Sequence, residues 1–249
     1  MFSEEWNFDQ LQQMSADILA SLENRKLMQP WQLESFSLPA SPDIESRKQV
    51  LIIASGYPEH AGVWSYTLLE KSIQAQEWRN KASMESWFER FYQSSTGIIV
   101  LNPHHPLKQP PEDSLPVYLA QLTAIYQRLM GLPNIPDIAL MGYSLGGDVI
   151  LRFLQEFPQY IAQTKGLVLV DPSPPQTGRR KMVPELARLM DHATLYGMMN
   201  EEGLPGEFAE IAKMRLKLTP ELVQCQYHGE VPSVVLNLVC DQLNQLFSA

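Results

Sequence analysis

Gly142-Tyr143-Ser144-Leu145-Gly146 is the stretch of this chain whose residue types and spacing could do chemistry. A serine with glycine two residues to either side fits a sharp strand-to-helix turn, because larger side chains at the glycine positions would collide as the chain folds back. Such a turn pushes the hydroxyl out at the end of a sheet, where it can act as a nucleophile. The apolar run Ile138-Ala139-Leu140-Met141 before it predicts a buried strand, and Val149–Leu154 after it predicts a helix. The N-terminus of that helix favours negative charge, such as a developing oxyanion. The five-residue pattern alone recurs by chance; the strand before it, the helix after it and the additional Gly147 make it specific.

A serine hydroxyl is a poor nucleophile until a base takes its proton. The chain has five histidines. His60, His104 and His105 precede Ser144 and read as polar loop residues, although His60 and His104 could line the same edge as the serine. His192 falls in a region that reads as surface. His228 lies in Leu222–Gly229 (LVQCQYHG), late in the chain.

These groups must be positioned by elements that the hydrophobic pattern indicates. Val50–Ala54, Ile98–Leu101 and Leu167–Val170 are continuous apolar runs, as expected of strands covered on both faces. Each ends in a turn: Ser55–Pro58, Asn102–Pro106 and Asp171–Pro175. Tyr118, Leu122, Ile125, Tyr126 and Leu129 share one face of a helix over Leu115–Met130, with Pro116 in its first turn and Gly131 at its end. Strand and helix alternate, which argues an α/β fold: a mostly parallel sheet with helices on both faces and right-handed crossovers. Ligands bind such sheets at the carboxyl ends of the strands, so Tyr57, His104, Ser144 and Asp171 are expected along one edge.

Residues 1–46 predict a helical extension, with Leu11, Met14, Ile18, Leu19 and Leu22 at helical spacing and Pro30, Pro39 and Pro42 breaking up its second half. Residues 47–249 form the main domain. Within it, residues 176–220 lose the strand signal and suggest a helical lid inserted after the strand that ends at Asp171. Arg179-Arg180-Lys181 in that segment reads as a solvated face.

The totals narrow the function classes. The chain has 249 residues, 45% of them hydrophobic and 19% charged, enough for a substantial core. A formal net charge of −9 argues against nucleic acid and anionic membrane surfaces. Cys225 and Cys240 have no metal-ligand spacing and read as reduced thiols, so no metal is expected. No phosphate loop or dinucleotide fingerprint follows Leu51–Ala54, and no cofactor is expected. No run approaches the length of a membrane span, and the acidic N-terminus (Glu4, Glu5) is unlike a secretory signal, which suggests a cytoplasmic protein. The partner expected is a small-molecule acyl substrate; oligomeric state is not legible.

Residues 48–175 resemble the α/β-hydrolase fold superfamily. The matching pieces are Leu51–Pro58 (LIIASGYP), Gly97–Pro103, Met141–Gly147 and Gly166–Pro175 (GLVLVDPSPP). The resemblance implies a Ser-Asp/Glu-His triad in that chain order, with Ser144 as nucleophile and the backbone N–H groups of Leu145 and Tyr57 as oxyanion donors. It implies an esterase- or thioesterase-like activity through an acyl-enzyme. The lid methionines (Met182, Met190, Met198, Met199) hint at an apolar acyl group.

Two readings of residues 222–247 remain open. In one, Leu222–Tyr227 is the last strand, His228 follows it and Val231–Phe247 is a closing helix. The acid is then Asp171, whose 27-residue step from Ser144 resembles that of some thioesterases in the superfamily. In the other, Val231–Leu236 is the penultimate strand and Asp241 takes the usual acid position. The chain then lacks a final strand and a histidine after it, as a truncated, catalytically impaired binding or scaffold protein would. The triad Ser144, Asp171 and His228 is the set that leaves a working enzyme.

Overall fold

The structure, a computed structural model, describes residues 8–56, 60–102 and 114–248. Eight strands form one sheet in the order β1-β2-β4-β3-β5-β6-β7-β8. In chain order these are β1 (Gln29–Gln32), β2 (Ser37–Ala40), β3 (Gln49–Ala54), β4 (Thr96–Val100), β5 (Asp137–Tyr143), β6 (Thr164–Val170), β7 (Thr194–Met198) and β8 (Glu221–Val223). From β4 through β8 the neighbours run parallel; β1 and β2 add an antiparallel edge. The helices are α1 (Phe8–Asn24), α2 (Tyr66–Lys71), α3 (Glu77–Ala82), α4 (Glu85–Tyr92), α5 (Leu115–Met130), α6 (Leu145–Glu156), α7 (Pro184–Leu189), α8 (Glu207–Leu216) and α9 (Val231–Ser248). This mostly parallel, helix-flanked sheet has the topology of an α/β-hydrolase.

The apolar runs become central strands because both of their faces are covered. In β3, Val50, Ile52 and Ala54 face one core, with Leu140 and Leu169 and with Tyr126 and Phe153 from α5 and α6. Leu51 and Ile53 face the other core, with Met141, Trp64 and Trp87 and with Val235 and Val239 from α9. This alternation is the period-2 geometry of a strand. Each fully buried aliphatic side chain contributes about 1.5–3 kcal/mol, so these strands fix the register of the whole sheet.

Register brings the carboxyl ends of the strands into line. Ala54 pairs with Gly142, Tyr143 with Val170, Val170 with Tyr196, and Met198 with Val223. The residues that follow Tyr143 and Val170, Ser144 and Asp171, therefore start adjacent loops at one edge.

Three expectations are corrected. Residues 29–40 are not part of a purely helical extension: β1 and β2 join the sheet, and α1 packs into the second core through Leu11, Ile18 and Leu22. No distinct lid insertion is seen among the described residues of 176–220; α7 and α8 flank β7, a sheet strand paired with β6 and β8. Residues 231–248 are helix α9, so the reading of Val231–Leu236 as a penultimate strand is overturned and β7 holds that place. Asp241 is exposed on α9, ten residues past Val231 and so roughly 15 Å along the axis from the His228 end; it is not the acid.

Candidate active site

Ser144 connects β5 to α6 with φ 53° and ψ −125°. A non-glycine residue at positive φ is strained, and such strain persists only where its surroundings over-determine it. Here they do. The Ser144 N–H donates to the Val170 carbonyl at 3.2 Å, and the Ser144 carbonyl accepts from the N–H of Ser173 at 2.9 Å and of Gly147 at 3.1 Å. A Cβ on Gly146 would lie 1.9 Å from the Ala54 carbonyl oxygen, and one on Gly142 would lie 2.5 Å from Gly147 Cα. The glycines are thus required by backbone packed against backbone. Leu145 opens α6, a position at which the helix leaves the N–H without an intrahelical partner.

Asp171 is the first residue past β6, also at positive φ (39°), and is 2% exposed. Its N–H donates to the Tyr196 carbonyl at 2.7 Å, and its Oδ1 accepts the Met198 N–H at 3.2 Å, so β7 holds the carboxylate in place. The other oxygen, Oδ2, meets His228 Nδ1 at 2.6 Å. An ionised carboxylate only accepts, so Nδ1 carries the proton and Nε2 is left with its lone pair.

The His228 ring is fixed on two further sides. Tyr143 stacks on its face at 4.9 Å between centroids, and Phe208 from α8 meets it edge-on at 5.1 Å. Nε2 is buried and has no hydrogen-bond partner among the described residues. Ser144 Oγ meets Ser173 Oγ at 3.3 Å instead. The site thus presents a serine on a strained bend, a buried carboxylate and an imidazole oriented by it, in triad-like geometry around one strand edge.

His60 bonds the Tyr66 hydroxyl through Nδ1. His192 is exposed after α7. Tyr57, His104 and His105 lie outside the described residues. Arg179 bonds Asp191 and the Leu216 carbonyl, which accounts for its charge structurally. Sequence reasoning missed Ser173, Tyr143 and Phe208 as neighbours of the site. Ser173 and Tyr143 could have been found by their places beside Asp171 and Ser144; Phe208 gives no local signal. Among the described residues, no group of three His, Cys, Asp or Glu is arranged to hold a metal, and no helix is long and apolar enough to cross a membrane.

No family model matches this chain, and no curated protein matches it. Solved structures do match in fold. A predicted CIB-like hydrolase from Thermoplasma acidophilum is 13% identical, with 88% of this chain and 98% of that one covered at a TM-score of 0.56. An α/β serine hydrolase without a lid, from Xanthomonas campestris, is 12% identical, with 88% and 94% covered at 0.55. A histone deacetylase from Saccharomyces cerevisiae is 13% identical, with 97% and 99% covered at 0.58. At such identities the likeness establishes the architecture, and chemistry must be argued from the site.

Proposed function

We propose that this protein is a serine hydrolase that cleaves an ester, thioester or related acyl bond through an acyl-enzyme on Ser144. The observation that carries the reading is the 2.6 Å bond from His228 Nδ1 to Asp171, which leaves a buried Nε2 lone pair at the rim where Ser144 sits. Ser144 Oγ turns from Ser173 toward Nε2 as substrate enters; catalytic hydrogen bonds commonly tighten only in the substrate complex.

His228 Nε2 takes the hydroxyl proton while Oγ bonds the substrate carbonyl carbon. Charge collects on the carbonyl oxygen, where the Leu145 N–H and the α6 dipole stabilise it, with the Tyr57 N–H as the second donor. The imidazolium, held by Asp171, then gives its proton to the departing alcohol or thiol. Water enters, loses a proton to His228 and attacks the acyl carbon, releasing the acid and restoring Ser144.

Phe208 and Tyr143 around the imidazole support an apolar acyl group. The free thiols of Cys225 and Cys240 fit a reducing, cytoplasmic setting. The test is hydrolysis of p-nitrophenyl acyl esters of increasing chain length. Activity that vanishes in Ser144→Ala and in His228→Ala supports the reading; activity unchanged in Ser144→Ala overturns it.

A further inference from the structure

β8 ends at Val223, so no sheet ladder holds residues 224–227, the approach to His228. The loop is held by Glu230 instead. Its side chain is 4% exposed, and Oε2 accepts the backbone N–H of Gln226 at 2.7 Å and of Tyr227 at 3.0 Å. The Glu230 N–H donates to the Tyr227 carbonyl at 2.9 Å, closing the turn around His228. The remaining carboxylate oxygen takes a 2.5 Å bond from Lys81 Nζ, which comes from α3, 149 residues earlier in the chain.

Lys81 is itself steadied. Its ammonium lies 4.6 Å from the Trp78 ring centroid, and Trp78 packs edge-on against Tyr227, the residue before His228, at 5.7 Å. On the other side, Gly229 abuts α2: a Cβ there would lie 2.5 Å from the Ser65 hydroxyl oxygen. Lys81 and Glu230 have no part in the proton transfers described above. Yet a carboxylate this buried is costly unless it is paired and fully hydrogen-bonded, and all of its bonds go to the loop that carries the base or to the lysine that tethers that loop.

We propose that the Lys81–Glu230 pair is a latch that positions His228 against Ser144, so that α3 sets the placement of the catalytic base. The proposal rests on the Ser144, Asp171, His228 reading. Lys81 and Glu230 are positioning residues: they act through the loop. Lys81 also borders a cleft of about 990 Å³ shared with Trp78, Tyr227 and Met198, so its side chain can be exchanged without filling a closed core.

The test compares the full-length protein with Lys81→Met and Lys81→Arg, and with Glu230→Gln should Lys81→Met fail to fold. Readouts are kcat and KM on a p-nitrophenyl ester, and the exchange-protected Nδ1–H proton of His228 by NMR. Lys81→Met or Glu230→Gln should lower kcat about 10–100-fold with KM within about twofold, the pattern of a misplaced catalytic group. The His228 proton signal should broaden or vanish, and arginine at 81 should restore both. Wild-type kcat with an intact His228 signal in the uncharged variant, or a loss that Lys81→Arg does not repair, overturns the latch. Should Ser144→Ala leave hydrolysis intact, the functional reading fails separately, and the NMR signal alone decides: retained in Lys81→Met, it overturns the latch; lost there and regained with arginine, it supports it.

Discussion

His228 Nδ1 and Asp171 Oδ2 lie 2.6 Å apart although the residues are 57 positions apart in the chain. The carboxylate is buried and backed by the Met198 N–H, so it fixes both the direction and the protonation of the ring. An amide at this position can present its NH₂ group to Nδ1 and reverse the tautomer. Asp171→Asn is therefore expected to lower kcat by about 10³–10⁴-fold, the scale known for this change in a catalytic triad. Ester hydrolysis rates beside a circular dichroism spectrum check it; near wild-type turnover in a folded variant would exclude Asp171 as the acid.

The elbow makes a stability prediction. A methyl group on Gly146 would meet the Ala54 carbonyl oxygen at 1.9 Å, and neither backbone can yield without disturbing a central strand. Gly146→Ala is expected to cost about 3 kcal/mol or more, at the top of the range for overpacking. Chemical denaturation measures it, and a loss below about 1 kcal/mol would mean that the bend relaxes freely.

Much of this arrangement was legible in the residues because burial on both faces writes itself as uninterrupted apolar runs. Val50–Ala54, Leu167–Val170 and the Ser144 bend were read in place, as was the helix Leu115–Met130. Strands with weaker signatures were not. β7 (TLYGM) is short, and its Gly197 reflects close packing on Ala209, so its methionine counted toward a helical lid. Each of β1 and β2 carries a proline, which weakens a strand signature; β1 is the edge of the sheet, and β2 meets β4 only at Ala40. The choice between Asp171 and Asp241 turned on whether Val231–Leu236 was strand or helix, which a short apolar run cannot decide. Glu230 was missed because its role depends on Lys81, a partner that only the folded chain brings near.

Glu230 should leave a mark on acid stability. Burial raises its pKa, but the Lys81 ammonium and the Gln226 and Tyr227 N–H groups outweigh that and hold the carboxyl below its ordinary 4.5. A depressed folded pKa contributes stability that is fully present above the unfolded value and is lost as pH falls through the folded one. The stability gap between wild type and Glu230→Gln should be level at neutral pH and narrow as pH drops below 4.5. Urea midpoints across that range measure the gap; one that widens on acidification contradicts the assignment.

Cys225 lines the same cleft as Lys81 and Glu230. Burial, with the nearby charges of Glu230 and Asp171, pushes its thiol up to about 11. The thiolate is the reactive form, so alkylation by iodoacetamide at neutral pH should be far slower than for a free thiol and should accelerate on approach to pH 11. Peptide mapping of the alkylated residue checks this. Rapid modification at neutral pH would show the thiol to be more exposed or less opposed by charge.

The account turns on Ser144 becoming a covalent centre with His228 as its base. Mass-spectrometric mapping of the folded protein after treatment with a fluorophosphonate tests this directly. The expected result is one phosphonylated site at Ser144, labelled far more slowly in His228→Ala than in wild type. An unlabelled Ser144, or labelling at the same rate without His228, would contradict it.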